Sequence, residues 1–260
     1  DLAEARSDSF AVIDPPIGLD VEGVINFHND PEGDGGFNSL TSNYGALYYP
    51  WIEVYDDIWG NNVFIGPSAF AVEAMAYTDY ISYPWFAPAG TGRGKVSSVV
   101  RAERNILQAD VDAMYGQGNA INPLRTFAGT GVVIWGQRTL QRVSTALDRI
   151  NVRRMLLTLR KLIANSVVPL VFEPDDPVLW REFRALVTPL LTHVQQHRGI
   201  KEFRVICDET TNTPDMVEQG VMVGKIFIKP VKSAEIIQVD FVITPQGTDF
   251  SENLVTTFGL

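Results

Sequence analysis

Residues 129–165 read GTGVVIWGQRTL, a short spacer, then DRINVRRMLLTLRKLIAN. Glycines flank the apolar run 132–135, which predicts a buried strand between turns. Downstream, Ile150, Val152, Met155, Leu156, Leu159, Leu162 and Ile163 recur every three to four residues, the spacing of an amphipathic helix. Arg149, Arg153, Arg154, Arg160 and Lys161 fill the positions between them. From Gln137 to Lys161 there are seven basic residues and one acidic residue, Asp148, in a chain whose net charge is −10. A basic helix in an acidic chain calls for a partner or an internal counter-charge.

The charge is unevenly distributed. Residues 1–92 contain fourteen acidic residues and one basic residue, Arg6, a balance of −13 that leaves +3 for the rest. This argues against a broad nucleic-acid footprint, which needs basic surface to neutralise phosphates. Acidic surface also keeps a protein soluble, and that reading stands beside a partner-facing one. No apolar run approaches the ~18 residues of a membrane span, and no signal-peptide pattern is present. The single cysteine, Cys207, excludes an internal disulfide framework and suits a reducing compartment.

The remaining periodicities predict further elements. A strand is expected at 9–13, a long glycine-rich loop at 18–42, and aromatic-rich strands at 44–55 and 62–65. Pro67 opens a helix with Phe70, Ala74 and Tyr77 on one face. A helix is expected at 104–115, and a boundary near 119–129. Beyond it the pattern is strand 131–135, helix 148–165, strand 168–172, and helix 177–197. That last helix is capped by Asp176, ended by Gly199 and kinked near Pro189. Strands at 203–207, 222–228 and 235–243 follow, with Ile237, Val239, Phe241 and Ile243 sharing a face of the last. The fold class expected is α/β, with mixed β-sheets flanked by helices and an extended C-terminal arm.

Several segments resemble chemical sites and fall short. The run 90–95, GTGRGK, has Ala89 where a phosphate loop needs its first glycine and Val96 where it needs Ser or Thr. Asp30, Glu32, Asp34 and Gly35 open like a calcium loop, but Thr41 stands at the bidentate closing position. His193 and His197 have zinc-like spacing with no further ligands beyond the distant His28. The run 66–70, GPSAF, lacks the last glycine of a nucleophile elbow. Cys207 lies in an alternating strand without basic neighbours and reads as a small core hydrophobe. Tyr48, Tyr49, Trp51, Tyr55 and Trp59 are expected mainly in a core rather than in a stacking site. No catalytic residue, cofactor or metal site is predicted.

The wording of the chain carries a resemblance. WGQRTL followed by DRINVRR resembles the C-terminal domain of contractile phage tail sheath proteins, most closely the T-even type. YYPW at 48–51, GPS at 66–68, YTD at 77–79 and WFAPAG at 85–90 match that family in order. So do VFEP at 171–174, VICD at 205–208, NTP at 212–214, IKPVKSA at 228–234 and GTDFSE at 247–252. The resemblance implies a structural subunit with no cofactor, polymerised in stacked rings, six-fold in the full-length protein, around a tail tube. It implies contact with the baseplate and tail terminator, no nucleic acid or membrane partner, assembly in the host cytoplasm, and residence in the virion tail. It divides the chain into part of an outer, acidic middle domain (1–125), an inner, tube-proximal C-terminal domain (126–245) and a linking arm (246–260).

The chain begins at Asp1 rather than Met, and is expected to be a C-terminal two-thirds fragment of a longer protein and, without the N-terminal arm, a monomer. Phe250, Leu254, Val255 and Phe258 are the expected anchors of the arm on a neighbour's sheet edge. Arg149, Arg153, Arg154, Arg160 and Lys161 are expected either to grip the tube through weak, repeated ion pairs or to meet acidic surface of the next subunit. The alternatives carried are the sheath of a pyocin or other contractile injection device and, more distantly, a soluble ligand-binding α/β enzyme.

Overall fold

The computed structural model describes residues 2–30, 40–116 and 118–235. In chain order the elements are α1 (Leu2–Arg6), β1 (Ala11–Ile13), α2 (Val21–Asn29), β2 (Gly45–Tyr49), β3 (Ile52–Asp56), β4 (Asn61–Ile65) and α3 (Pro67–Ile81). There follow α4 (Gly90–Arg93), β5 (Val99–Ala102), α5 (Gln108–Tyr115), β6 (Ile121–Phe127), β7 (Gly131–Ile134) and α6 (Ile150–Val167). After a 3-10 turn (Val168–Leu170) come α7 (Pro177–Gln196), β8 (Ile200–Ile206), α8 (Pro214–Glu218) and β9 (Lys225–Pro230).

β1, β2 and β6 run parallel, and β7 closes the sheet antiparallel to β6 in the order β1-β2-β6-β7. All five residues of β2, GALYY, are buried, as befits a parallel strand covered on both faces. Successive side chains point to opposite faces, so Ala46 and Tyr48 join α3 residues Phe70, Ala74 and Met75 in one core. Leu47 and Tyr49 join Val24 of α2 and Val111 and Met114 of α5 in another. The result is a helix–sheet–helix sandwich, with the small antiparallel sheet β4-β3-β5 extending the first layer. A third core lies between α6, α7 and the β8–β9 hairpin. In it Val152, Met155 and Leu159 face Phe183, Val187 and Leu191. Each such side chain, fully buried, contributes about 1.5–3 kcal/mol.

α6 is common to two of these cores: Ile150 is in the first, while Val152, Met155 and Leu159 are in the third. The boundary expected at 125/126 falls inside β6, and both β6 and β7 complete the first sheet.

Four local expectations are corrected. The segment 18–42 carries a helix, α2, whose N-terminus is capped by the Asp20 carboxylate accepting from the Gly23 N–H at 2.8 Å. The segment 168–172 is a 3-10 turn with Phe172 fully exposed, not a buried strand. α6 runs on to Val167, and Pro169 in the following 3-10 turn leaves these apolar residues at a helix–helix corner. α7 runs unbroken through Pro189, which sits on its exposed side, and ends before Gly199. On α3 the buried stripe is Phe70, Ala71, Ala74, Met75 and Thr78, with Tyr77 half-exposed. The strand expected at 235–243, including Ile237, Val239, Phe241 and Ile243, lies outside the described residues apart from Glu235. β9 pairs with β8, antiparallel, Phe203 opposite Ile228.

Candidate functional site

The polar chemistry of the molecule gathers around the N-terminal half of α6. Its foundation is Asn122, fully buried in β6. The Asn122 amide donates to the Leu47 carbonyl at 3.1 Å and the Arg138 carbonyl at 2.8 Å, and its oxygen accepts from the Arg138 N–H at 2.6 Å. These bonds lay the 136–138 segment onto the sheet. Gly136 is required there: a Cβ would meet Asn122 Oδ1 and Tyr115 Cε2, each at 2.9 Å, and the Asn122 Cα at 3.0 Å. Further on, the Thr139 N–H donates to the Asp148 carbonyl at 3.1 Å and the Ile150 N–H to the Gln137 carbonyl at 2.9 Å, which aims α6 back across the first body.

α6 starts without a side-chain cap, and a cation, Arg149, holds the N-cap position. That is the unfavourable end of the helix dipole for a positive charge. Two carboxylates compensate: Arg149 pairs with Asp148 at 3.4 Å and Glu235 at 3.0 Å. Glu235 also accepts from the Tyr115 hydroxyl at 2.6 Å. Lys232 reaches Asp148 at 3.2 Å and the Thr145 carbonyl at 2.8 Å. The Tyr115 ring is covered by the Arg138 guanidinium at 4.4 Å. Burial, then the Glu235 carboxylate, pushes the Tyr115 phenol well above its ordinary value.

The predicted basic face divides in two. Arg153 is only 6% exposed. It donates to the Asn43 carbonyl at 3.0 Å, makes a second, short bond to the Asn43 side chain, and lies over the Tyr44 ring at 4.0 Å. Burial lowers its pKa from the ordinary arginine value. Arg154 pairs with Asp79 of α3 at 2.6 Å and reaches the Met75 carbonyl at 3.4 Å. Arg149, Arg153 and Arg154 therefore fasten α6 to other parts of the same chain. Arg160 and Lys161 are exposed, Arg160 touching the Ser7 carbonyl at 2.8 Å. The arm residues Phe250, Leu254, Val255 and Phe258 lie outside the described residues.

The segments that resembled chemical sites have structural roles. GTGR of 90–93 forms the short α4, and Arg93 donates to the Ala87 carbonyl at 2.9 Å. Ser68 turns its hydroxyl and N–H to Asp14, at 2.6 and 2.7 Å, fixing the start of α3 against β1. His193 and His197 meet at 4.2 Å with their rings tilted by 43° and border Tyr83, which is parallel to Trp85 at 4.6 Å. Cys207 is buried, and burial pushes its thiol up. Among the described residues no group of three or more His, Cys, Asp or Glu is placed to hold a metal ion, and no helix is long and apolar enough to cross a membrane. The residues that organise the site, Asn122, Tyr115, Lys232 and Glu235, escaped sequence reasoning. Only Asn122, a lone polar residue in the otherwise apolar start of β6, INPL, left a local signal.

The fold is that of sheath subunits from contractile injection devices. It matches the sheath complex of an extracellular contractile injection system, PVC, in the contracted state with a TM-score of 0.78 and 25% identity, over 94% of this chain and 65% of that one. It also matches the contracted helical sheath of the anti-feeding prophage with a TM-score of 0.74 and 24% identity, over 92% and 64% of the two chains.

Sequence comparison completes the assignment. The family model described as the phage tail sheath protein central domain matches residues 2–140, and the phage tail sheath C-terminal domain matches residues 142–244. The chain belongs to the phage tail sheath family. It is 36% identical to the tail sheath protein of Vibrio phage KVP40 and 31% identical to that of Enterobacteria phage T4, over 96% of this chain in both cases. It spans 39% of the length of each of these relatives. The two-thirds share expected from sequence is larger than the 39% found against these phage relatives.

Proposed function

We propose that this chain is part of the folded body of a contractile tail sheath subunit. Copies polymerise as stacked rings around a tail tube and contract to drive the tube through the host envelope. The observation that carries this reading is the joint match of the central and C-terminal sheath domains along one chain. The subunit resides in the virion tail, is assembled in the host cytoplasm, and contacts the tube, baseplate and tail terminator. Its role is mechanical and needs neither catalysis nor a cofactor. The first, acidic body faces outward and the α6–α7–β8–β9 body inward. The division between them lies near residue 141, where the two family models meet. Residues 246–260, with Phe250, Leu254, Val255 and Phe258, link to a neighbour. The similarity to the PVC sheath supports a second reading, an injection-device sheath with the same mechanics.

Of the five basic residues, the exposed Arg160 and Lys161 are assigned to contact with tube or neighbour, because the other three are engaged within the chain. Electron microscopy of the full-length protein tests the class: tubes with a helical surface lattice are expected, and a protein that never forms ordered polymers would refute it. In the same preparation, Arg160→Glu with Lys161→Glu is expected to weaken tube binding or assembly while leaving the melting temperature within about 2 °C, as surface substitutions do.

A further inference from the structure

The β8–β9 hairpin is a two-stranded sheet, and β9 is the last described element before residues 236–260. β9 is antiparallel to β8, so its C-terminal residue Pro230 pairs with Ile200, the first residue of β8. Tension arriving from the C-terminal side would reach the ladder at that pair and open it one hydrogen bond at a time. A lone two-stranded ladder resists such peeling poorly.

The chain is fastened immediately beyond Pro230. The Val231 N–H donates to the Gly199 carbonyl at 3.0 Å. Lys232 holds Asp148 at 3.2 Å and the Thr145 carbonyl at 2.8 Å. Glu235 holds Arg149 at 3.0 Å and the Tyr115 hydroxyl at 2.6 Å. Asp148 and Arg149 are largely buried, and Tyr115 is held from both sides by Arg138 and the Gln137 N–H. The partners belong to α5 and to the start of α6, where Tyr115 packs on the core beneath α5 and Ile150 enters the first core, and none of them lies on β8 or β9.

We infer that Lys232–Asp148 and Tyr115–Glu235–Arg149 form a strain-relief anchor, which passes tension from the C-terminal segment into α5 and α6 and spares the β8–β9 ladder. The inference rests on the reading that residues after 235 link to another copy. Tyr115, Arg149 and Asp148 act here as positioning residues for that linkage. Partial burial makes these bonds stronger than surface ion pairs, and charge-assisted bonds exceed neutral ones.

The test uses the full chain. Trypsin cleavage after Lys232 is compared with cleavage after Arg184, on α7, in the wild type, Tyr115→Phe and Glu235→Gln. Loss of one charge-assisted bond is expected to raise the Lys232 rate roughly tenfold relative to Arg184. The double variant should be cut less than the two single effects multiplied, since both substitutions remove the same charge-assisted bond. Pulling the chain by its C-terminus in an optical trap should open β9 at lower force in either variant. Unchanged Lys232 cleavage, or an equal rise at Arg184 that signals only global loosening, overturns the anchor. So does an unchanged opening force. Sheath tubes that assemble equally well without residues 236–260 would instead overturn the linkage, and with it the load the anchor carries, whatever the tryptic rates.

Discussion

Arg153→Ala separates an internal fastening from an interaction surface. The substitution deletes two hydrogen bonds to Asn43 and the guanidinium over Tyr44 at 4.0 Å. Hydrogen bonds to charged groups contribute about 1.5–3 kcal/mol each, and a desolvated cation–π contact about 2 kcal/mol. Removing a charge from a largely buried position returns part of this, since burial opposes the cation. A net loss of about 3 kcal/mol is expected, a large share of the roughly 5–15 kcal/mol that stabilises a domain. With a urea m-value of about 3 kcal/mol/M, the unfolding midpoint falls by about 1 M. Arg160→Ala, on the same helix but exposed, should shift the midpoint by less than ~0.3 M, as exposed contacts are worth about 0–1 kcal/mol. Arg153→Lys should recover little, because an ammonium cannot reproduce the planar, forked contact. Equal midpoints for Arg153→Ala and Arg160→Ala would refute the internal role and return Arg153 to the surface.

Two further outcomes follow from the geometry. His28 is fully buried, with Nδ1 facing Arg142 at 3.3 Å, and burial, then that guanidinium, lowers its pKa to about 4. The unfolded chain binds the proton near 6.5, so stability is full above pH 6.5, declines as pH falls towards 4, and loses about 3 kcal/mol in total. His28→Leu should flatten that decline in urea titrations at pH 4 to 7; an unchanged slope would show that another group carries it. Gly136→Ala drives a Cβ against Asn122 and Tyr115 and should cost about 1–3 kcal/mol, read as a lowered melting temperature.

Much of the fold was legible where local signals agreed. Asp176 and Gly199 bracket α7, and the apolar spacing of α6 matches its buried stripe of Val152, Met155 and Leu159. The strand ahead of Gly136 was equally plain, whereas the run expected as strand over 44–55 is divided into β2 and β3, which belong to different sheets. α2 was hidden because its nine residues sit in glycine-rich sequence and rely on the Asp20 cap and on packing of Val24. The apolar run 168–172 has the composition of a strand, yet Val168, Val171 and Phe172 are exposed while Leu170 packs on the third core, and composition does not encode cover. The same holds for the candidate site. Periodicity separates the polar side of α6 from the apolar side, but it does not say whether the polar side meets water or Asn43, Tyr44 and Asp79. Those partners are distant in sequence and individually ordinary. Glu235 and Lys232 were read as strand flanks, since their partners Tyr115 and Asp148 lie 120 and 84 positions away.

The sharing of α6 between two cores limits how portable the two bodies are. A graft cut near residue 141 would carry Ile150, Arg153 and Arg154 away from the residues they fit: Phe70 and Ile134, Asn43 and Tyr44, Asp79. It would also part Asn151 from the Trp85 carbonyl at 3.2 Å. The seam between the family models is thus a seam in sequence and not in packing. The two bodies should exchange between relatives only as a set that includes the α6 socket, and any swap that respects the seam alone is expected to yield two exposed half-interfaces instead of one subunit.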